Sequence, residues 1–255
     1  MIVFFPGPDK TATTWFYRQF LLHPQIKVIG GKEDLAYLNF LSKEKKENSL
    51  IKLYAIFDHE APFRGLEVTN LMKKNKLHCI IIFRDPLQRT ISAIKNDIRM
   101  GVLNHDDALK IIKNKNNKYF KRSDYGLYIN LCLETKSDFS LIDINDIKNN
   151  EEKLIKKISK KFNLDSKYFQ KNLVINQARS VRSVKLNLFI KKFIKPIFYK
   201  IKLGKLWHNM YHSFLSQVFF KNNDQIINFS IDKKTENVLK KNYEEIKIKY
   251  MDKFI

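Results

Sequence analysis

The chain alternates between short continuous apolar runs and longer stretches in which apolar residues recur every three or four positions. Residues 2–5 and 79–83 are of the first kind, and residues 50–57 and 139–144 come close to it, interrupted by Lys52 and by Ser140 and Asp143. Runs of this length, bounded by turn residues, predict buried strands. Residues 27–29 predict a further short strand. Between them, Trp15, Phe16, Phe20 and Leu21 fall at roughly helical spacing, and Pro24 stops that helix near His23. Helices are also predicted over 67–74, from Pro86 onward, from Ser123 through Glu134, and over 151–162, where Leu154, Ile155, Ile158 and Phe162 share one face. A last helix spans 235–254, with Val238, Leu239, Tyr243, Ile246 and Tyr250 spaced for burial. Strands alternating with helices predict an α/β fold in three layers, a mostly parallel central sheet flanked by helices.

The chain has 255 residues, of which 44% are hydrophobic. That length and that core fit a single domain over 1–255, with a core in 1–164 and a mainly helical part in 165–255. The two cysteines, Cys79 and Cys132, sit in apolar runs and read as buried free thiols, not a disulfide framework. The chain opens directly on its first strand, leaving no room for a signal peptide, and it contains no apolar run of about 18 residues. The expected setting is a reducing, cytoplasmic one. The net charge is +22, from 48 Lys and Arg against 26 Asp and Glu. Two origins fit it: a surface that attracts anions, or a general Lys, Asn and Ile bias. Residues 185–207 interleave Leu186, Phe189, Phe193 and Ile197 with lysines, with Pro196 inside. Such a basic amphipathic segment suits an anionic membrane face or a core-packed helix. Spaced His or Cys pairs of a metal site do not occur, and no metal is expected.

The chemistry concentrates at two places. After the first strand come Pro6, Gly7 and Pro8, then Lys10, Thr11, Ala12, Thr13, Thr14 and Trp15. A strand, a tight loop and a helix start bring free amides and a helix dipole together, an arrangement that favours an anion. Lys10 adds a cation and the threonines add hydroxyl donors. A Walker A loop would place a glycine directly before the lysine, where this chain has Asp9. The second place is Arg84-Asp85-Pro86, immediately after the run 79–83. Asp85 fits an N-cap and Pro86 a first helical residue, which leaves Arg84 at the carboxyl edge of the sheet. Arg89 and Ser92 follow on the helix.

Lys10-Thr11-Ala12-Thr13-Thr14 resembles the 5′-phosphosulfate loop of the sulfotransferases, with Ala12 where the family usually has Gly. Arg84-Asp85-Pro86, Arg89 and Ser92 together resemble that family's 3′-phosphate element. The resemblance implies that 3′-phosphoadenosine 5′-phosphosulfate is the donor. It implies that Lys10, Thr11, Ala12, Thr13, Thr14 and Trp15 hold its 5′ end and that Arg84 and Ser92 hold its 3′-phosphate. Lys32-Glu33 before an aromatic-rich segment is similar to the glycan-modifying branch, which implies that Glu33 is the general base and a carbohydrate hydroxyl the acceptor. By their position alone, Glu33 and Asp34 are equally suited to a helix start. The family's basic loop after the core makes Arg179 and Arg182 further candidates for nucleotide contact.

Two other classes remain open at this level. A P-loop kinase would need a strand-end carboxylate for Mg²⁺, and the strand over 79–83 ends in Arg84 instead. A non-catalytic basic module would bind anionic surfaces through 185–207. No feature points to a specific nucleic acid.

Overall fold

The computed structural model describes residues 1–30, 36–42, 50–100, 102–114, 116–173, 179–181, 220–222 and 233–255. Its strands are β1 (Ile2–Phe5), β2 (Ile26–Val28), β3 (Leu53–Phe57), β4 (His78–Phe83), β5 (Asp138–Asp143), β6 (Arg179–Val181) and β7 (Phe220–Asn222). Its helices are α1 (Thr13–Leu22), α2 (Ala36–Ser42), α3 (Leu66–Asn75), α4 (Pro86–Arg99), α5 (His105–Lys113), α6 (Lys118–Lys121), α7 (Tyr125–Glu134), α8 (Ile144–Asn149), α9 (Glu151–Phe162) and α10 (Lys233–Lys249). The chain divides into two compact units, one of residues 1–90, 115–175 and 232–255, the other of residues 91–114 and 176–231.

The first unit holds a five-stranded sheet in the order β2-β3-β1-β4-β5. Every neighbouring pair is parallel. Because side chains alternate across a strand, the continuous apolar runs feed two cores at once. Cys79, Ile81 and Phe83 of β4 join Phe4, Ile56 and Leu141 on one face. Ile80 and Ile82 join Val3, Phe5 and Phe57 on the other. Helices α2, α3, α7 and α10 cover the first face through Tyr37, Val68, Met72, Tyr128, Cys132 and Tyr243. Helices α1, α8 and α9 cover the second through Phe16, Phe20, Ile147, Ile155 and Ile158. The predicted three-layer α/β architecture with its parallel sheet is therefore present. Both cysteines are buried free thiols.

The strand order reverses at β1. The chain passes from β1 to β2 and β3 on one side, then crosses to β4 and β5 on the other. Open parallel sheets bind ligands outside the carboxyl ends of the strands at such a switch point. Here it lies between the loop after β1 and the start of α4.

Several boundaries differ from the sequence reading. β3 begins at Leu53, not at Leu50. β5 ends at Asp143, not at Ile144, and the Asp143 side chain accepts from Asn145 N at 2.9 Å and starts α8. The lysine- and asparagine-rich stretch 95–122 contains the end of α4, then α5 and α6. In the second unit, Asn104 caps α5 by accepting from Asp107 N at 2.7 Å. Arg179, expected in a loop, opens β6, which pairs antiparallel with β7 in the register Arg179 to Asn222. Arg182 and the segment 185–207 lie outside the described residues. Among the described residues, no helix is long and apolar enough to cross a membrane.

Candidate active site

The loop after β1 is shaped by backbone conformations that few residues adopt. Gly7 has φ +124°, and a side chain there would meet Tyr128 Cε1 at 2.8 Å and the His59 backbone at 3.1 Å. Only glycine fits that close approach. Lys10 (φ 62°) and Ala12 (φ 65°, ψ 18°) are both left-handed. Thr11 is buried, and its hydroxyl donates to Pro8 O at 2.6 Å, closing the loop on itself. Ala12 is the N-cap of α1 and contributes no side-chain cap. The amides of the first turn are therefore not satisfied from that position, as an anion-binding helix start requires. Trp15 N donates to Ala12 O at 2.9 Å, and the buried Trp15 indole donates to Glu151 Oε1 at 3.1 Å. The Trp15 ring thus anchors α1 onto α9.

Two arginines grip this loop from the other side of the switch point. Arg84 Nη1 donates to Lys10 O at 2.8 Å. The Arg84 backbone is itself fixed by the buried Tyr125 phenol, which accepts from Arg84 N at 2.9 Å and donates to Arg84 O at 2.8 Å. Burial pulls the Arg84 pKa below its ordinary value and pushes that of Tyr125 up. Arg84 Nε is buried with no hydrogen-bond partner among the described residues. A buried unpaired guanidinium donor is costly unless an acceptor arrives, and a phosphate oxygen meets that need. Asp85 accepts from Gln88 N at 2.7 Å and so caps α4 as its sequence position predicts. Arg89, one turn on, is fully buried. It forms an ion pair with Asp9 and donates through Nε to Asp9 O at 3.1 Å.

More ion pairs surround the loop. Asp58 directly follows β3 and accepts from Tyr37 Oη at 2.5 Å, from Arg64 Nε at 2.5 Å and Nη2 at 3.0 Å, and from Glu60 N at 3.1 Å. Burial and the hydrogen bond to Asp58 raise the Tyr37 pKa far above its ordinary value. Arg122 pairs with Glu60. Burial pushes the Asp9 carboxyl up, but Arg89, His59, Lys10 and Arg122 outweigh it, and the carboxyl titrates below its usual range. The three carboxylates are thus each paired with an arginine.

The fold is similar to that in the crystal structure of a sulfotransferase from Alicyclobacillus acidocaldarius, with a TM-score of 0.52 and 13% identity over 81% of this chain and 95% of that one. This likeness establishes the fold. No protein-family model and no curated protein sequence matches the chain.

Of the residues singled out from sequence, Lys10, Thr11, Ala12, Thr13, Thr14, Trp15 and Arg84 meet at one sheet edge, joined by the Arg84–Lys10 hydrogen bond. Ser92 is half-buried on α4. Glu33 lies outside the described residues. Asp9, Tyr125 and Asp58 were not read from sequence as site residues, and Arg89 was read only as part of the motif around Arg84, with no contact of its own. A carboxylate beside Lys10 and a second arginine one helical turn after Pro86 were the visible signs of Asp9 and Arg89. Among the described residues, no cluster of His, Cys, Asp and Glu could hold a metal ion.

Proposed function

We propose that this chain is a sulfotransferase that moves a sulfuryl group from 3′-phosphoadenosine 5′-phosphosulfate to a hydroxyl, most naturally one on a carbohydrate or lipid-linked glycan. One observation carries the reading: in a fold similar to a sulfotransferase, the amide-rich loop after β1 and the strand-end Arg84 are tied together at the switch point. The residues fit a donor with two phosphate ends. Arg84, with its buried unpaired Nε, and Ser92 hold the 3′-phosphate. Thr11, Ala12, Thr13, Thr14 and Trp15 present the loop and first helical turn to the 5′ end. Thr11 contributes its backbone, because its hydroxyl is committed to Pro8. When bound, the donor supplies the sulfuryl group and a phosphate leaving group. Lys10 stabilises negative charge at the 5′ end, where it develops during transfer. Glu33 takes the proton that the acceptor hydroxyl gives up. The basic segment 185–207 would bring the protein to an anionic membrane that carries such an acceptor.

A metal-dependent phosphoryl-transfer reading needs a strand-end carboxylate, and Asp58 after β3 occupies such a place, one not recognised from sequence. Its carboxylate is bonded by Arg64 and Tyr37, which argues for a positioning role.

The test is transfer of radiolabelled sulfate from the donor to a panel of hydroxyl acceptors. Wild type should label at least one glycan. Glu33→Gln should keep binding 3′-phosphoadenosine 5′-phosphate and lose about 100-fold or more in transfer, as expected for a general base. Undiminished transfer by Glu33→Gln would remove Glu33 from the mechanism, and no labelling of any acceptor by wild type would remove the reaction.

A further inference from the structure

Arg89 lies beneath the loop, fully buried, and all its donor nitrogens are used within the protein. Nη1 donates to Tyr119 O at 2.8 Å and to Ser123 Oγ at 3.3 Å. Ser123 Oγ is in turn 2.6 Å from Thr90 Oγ1. Nε donates to Asp9 O, and Nη2 pairs with the Asp9 carboxylate. Fully buried and bonded through every nitrogen, this arginine exposes no donor to a ligand. It does, however, hold the peptide that precedes Lys10.

The consequence follows from peptide planarity. In a trans peptide, the N–H of one residue points opposite to the C=O of the residue before it. Arg89 draws Asp9 C=O toward the α4 side, which turns Lys10 N–H away from it. Arg84 holds Lys10 C=O in the same way, which turns Thr11 N–H away from Arg84. Successive amides held on one side by alternating backbone hands form a concave nest for an anion, and the left-handed Lys10 sits between these two peptides. Arg89 also neutralises Asp9. Without Arg89, a carboxylate would stand beside the place where the anion binds.

We propose that the Arg89–Asp9 pair positions the amides of the loop after β1, so that recognition of a 5′-phosphate depends on an arginine that never contacts it. The inference rests on the sulfotransferase reading of the same site. Arg89 is a positioning residue, and its loss acts on one end of the ligand only.

The test compares binding of 3′-phosphoadenosine 5′-phosphate with that of adenosine 3′-monophosphate, which lacks the 5′-phosphate, by calorimetry on the full chain. In Arg89→Met, bisphosphate affinity should fall roughly 10- to 100-fold, the scale of a lost charged hydrogen bond. Affinity for the monophosphate should change by less than about 3-fold, since each 10-fold change marks a far larger interaction. Arg89→Lys keeps the charge but not the fork, and should show the same selective loss. Asp9→Asn keeps the backbone contact and should lose less. The Asp9→Asn/Arg89→Met double variant should recover part of the loss of Arg89→Met, because the unpaired carboxylate is gone. Equal losses for both ligands, or an unchanged ratio in folded Arg89→Met, would overturn the proposal. If Arg89→Met does not fold, an unchanged ratio in both Arg89→Lys and Asp9→Asn overturns it. A wild type that fails to bind the bisphosphate overturns the functional reading itself, a result distinct from an unchanged ratio.

Discussion

Ala12 is the residue at which local conformation and chemistry conflict most directly. It adopts a left-handed conformation that costs an L-residue with a Cβ about 1–2 kcal/mol. Glycine would relieve that strain while adding about 0.5–1 kcal/mol of unfolded-state entropy. Ala12→Gly should therefore stabilise the protein by up to about 1 kcal/mol, raising Tm by roughly 2–4 °C in scanning calorimetry. A drop in Tm of similar size would show that this position is not left-handed. Of the site residues, Lys10, Arg84 and Asp85 were legible because local sequence fixes their setting: a lysine after a strand and a proline bend, an arginine at a strand end, a cap before a proline. Asp9 and Arg89 were not legible as a pair, since their contact spans 80 positions and no local pattern couples them. Tyr125 is similar: its phenol binds the Arg84 backbone 41 positions away.

Among the elements, the sheet was the most readable part, because runs such as 79–83 are apolar on both faces and tolerate no other reading. The helices α5 and α6 were hidden by lysines and asparagines, although Ala108, Ile112, Tyr119 and Phe120 are buried. A few apolar anchors in a polar stretch carry little periodicity. The start of β4 carries a pH dependence of stability. His78 is buried, its Nδ1 is 2.9 Å from Asp138 Oδ2, and its Nε2 is 2.8 Å from Ser140 Oγ. Burial lowers its pKa from 6.5, and the opposing attraction of exposed Asp138 is too screened to reverse this. The unfolded chain protonates His78 at its ordinary value while the folded protein resists, so stability is lost as pH falls below 6.5 toward the lower folded pKa. Burial gives His23 the same sign. Urea unfolding at about pH 7.5 and about pH 5.5 should show a smaller drop for His78→Gln than for wild type. An identical drop in both would show that His78 titrates normally in the fold.

For the molecule as a whole, topology does what no single segment can. Lys10 and Arg84 belong to elements far apart in sequence, and the strand order β2-β3-β1-β4-β5 puts them on one edge. The net charge of +22 did not locate that edge, because three of the arginines around it, Arg64, Arg89 and Arg122, are balanced locally by Asp58, Asp9 and Glu60. What distinguishes the site is the unpaired buried Nε of Arg84 beside a loop rich in amides. On the proposed function, this edge binds an adenosine 3′,5′-bisphosphate end to end. The most direct measurement is calorimetric titration of 3′-phosphoadenosine 5′-phosphate, beside ATP with Mg²⁺, into wild type and Arg84→Ala. Binding of the bisphosphate in preference to ATP, weakened at least about 10-fold by Arg84→Ala as for a lost charged contact, is the predicted result. Preference for ATP with Mg²⁺, or bisphosphate binding unaffected by Arg84→Ala, would contradict it.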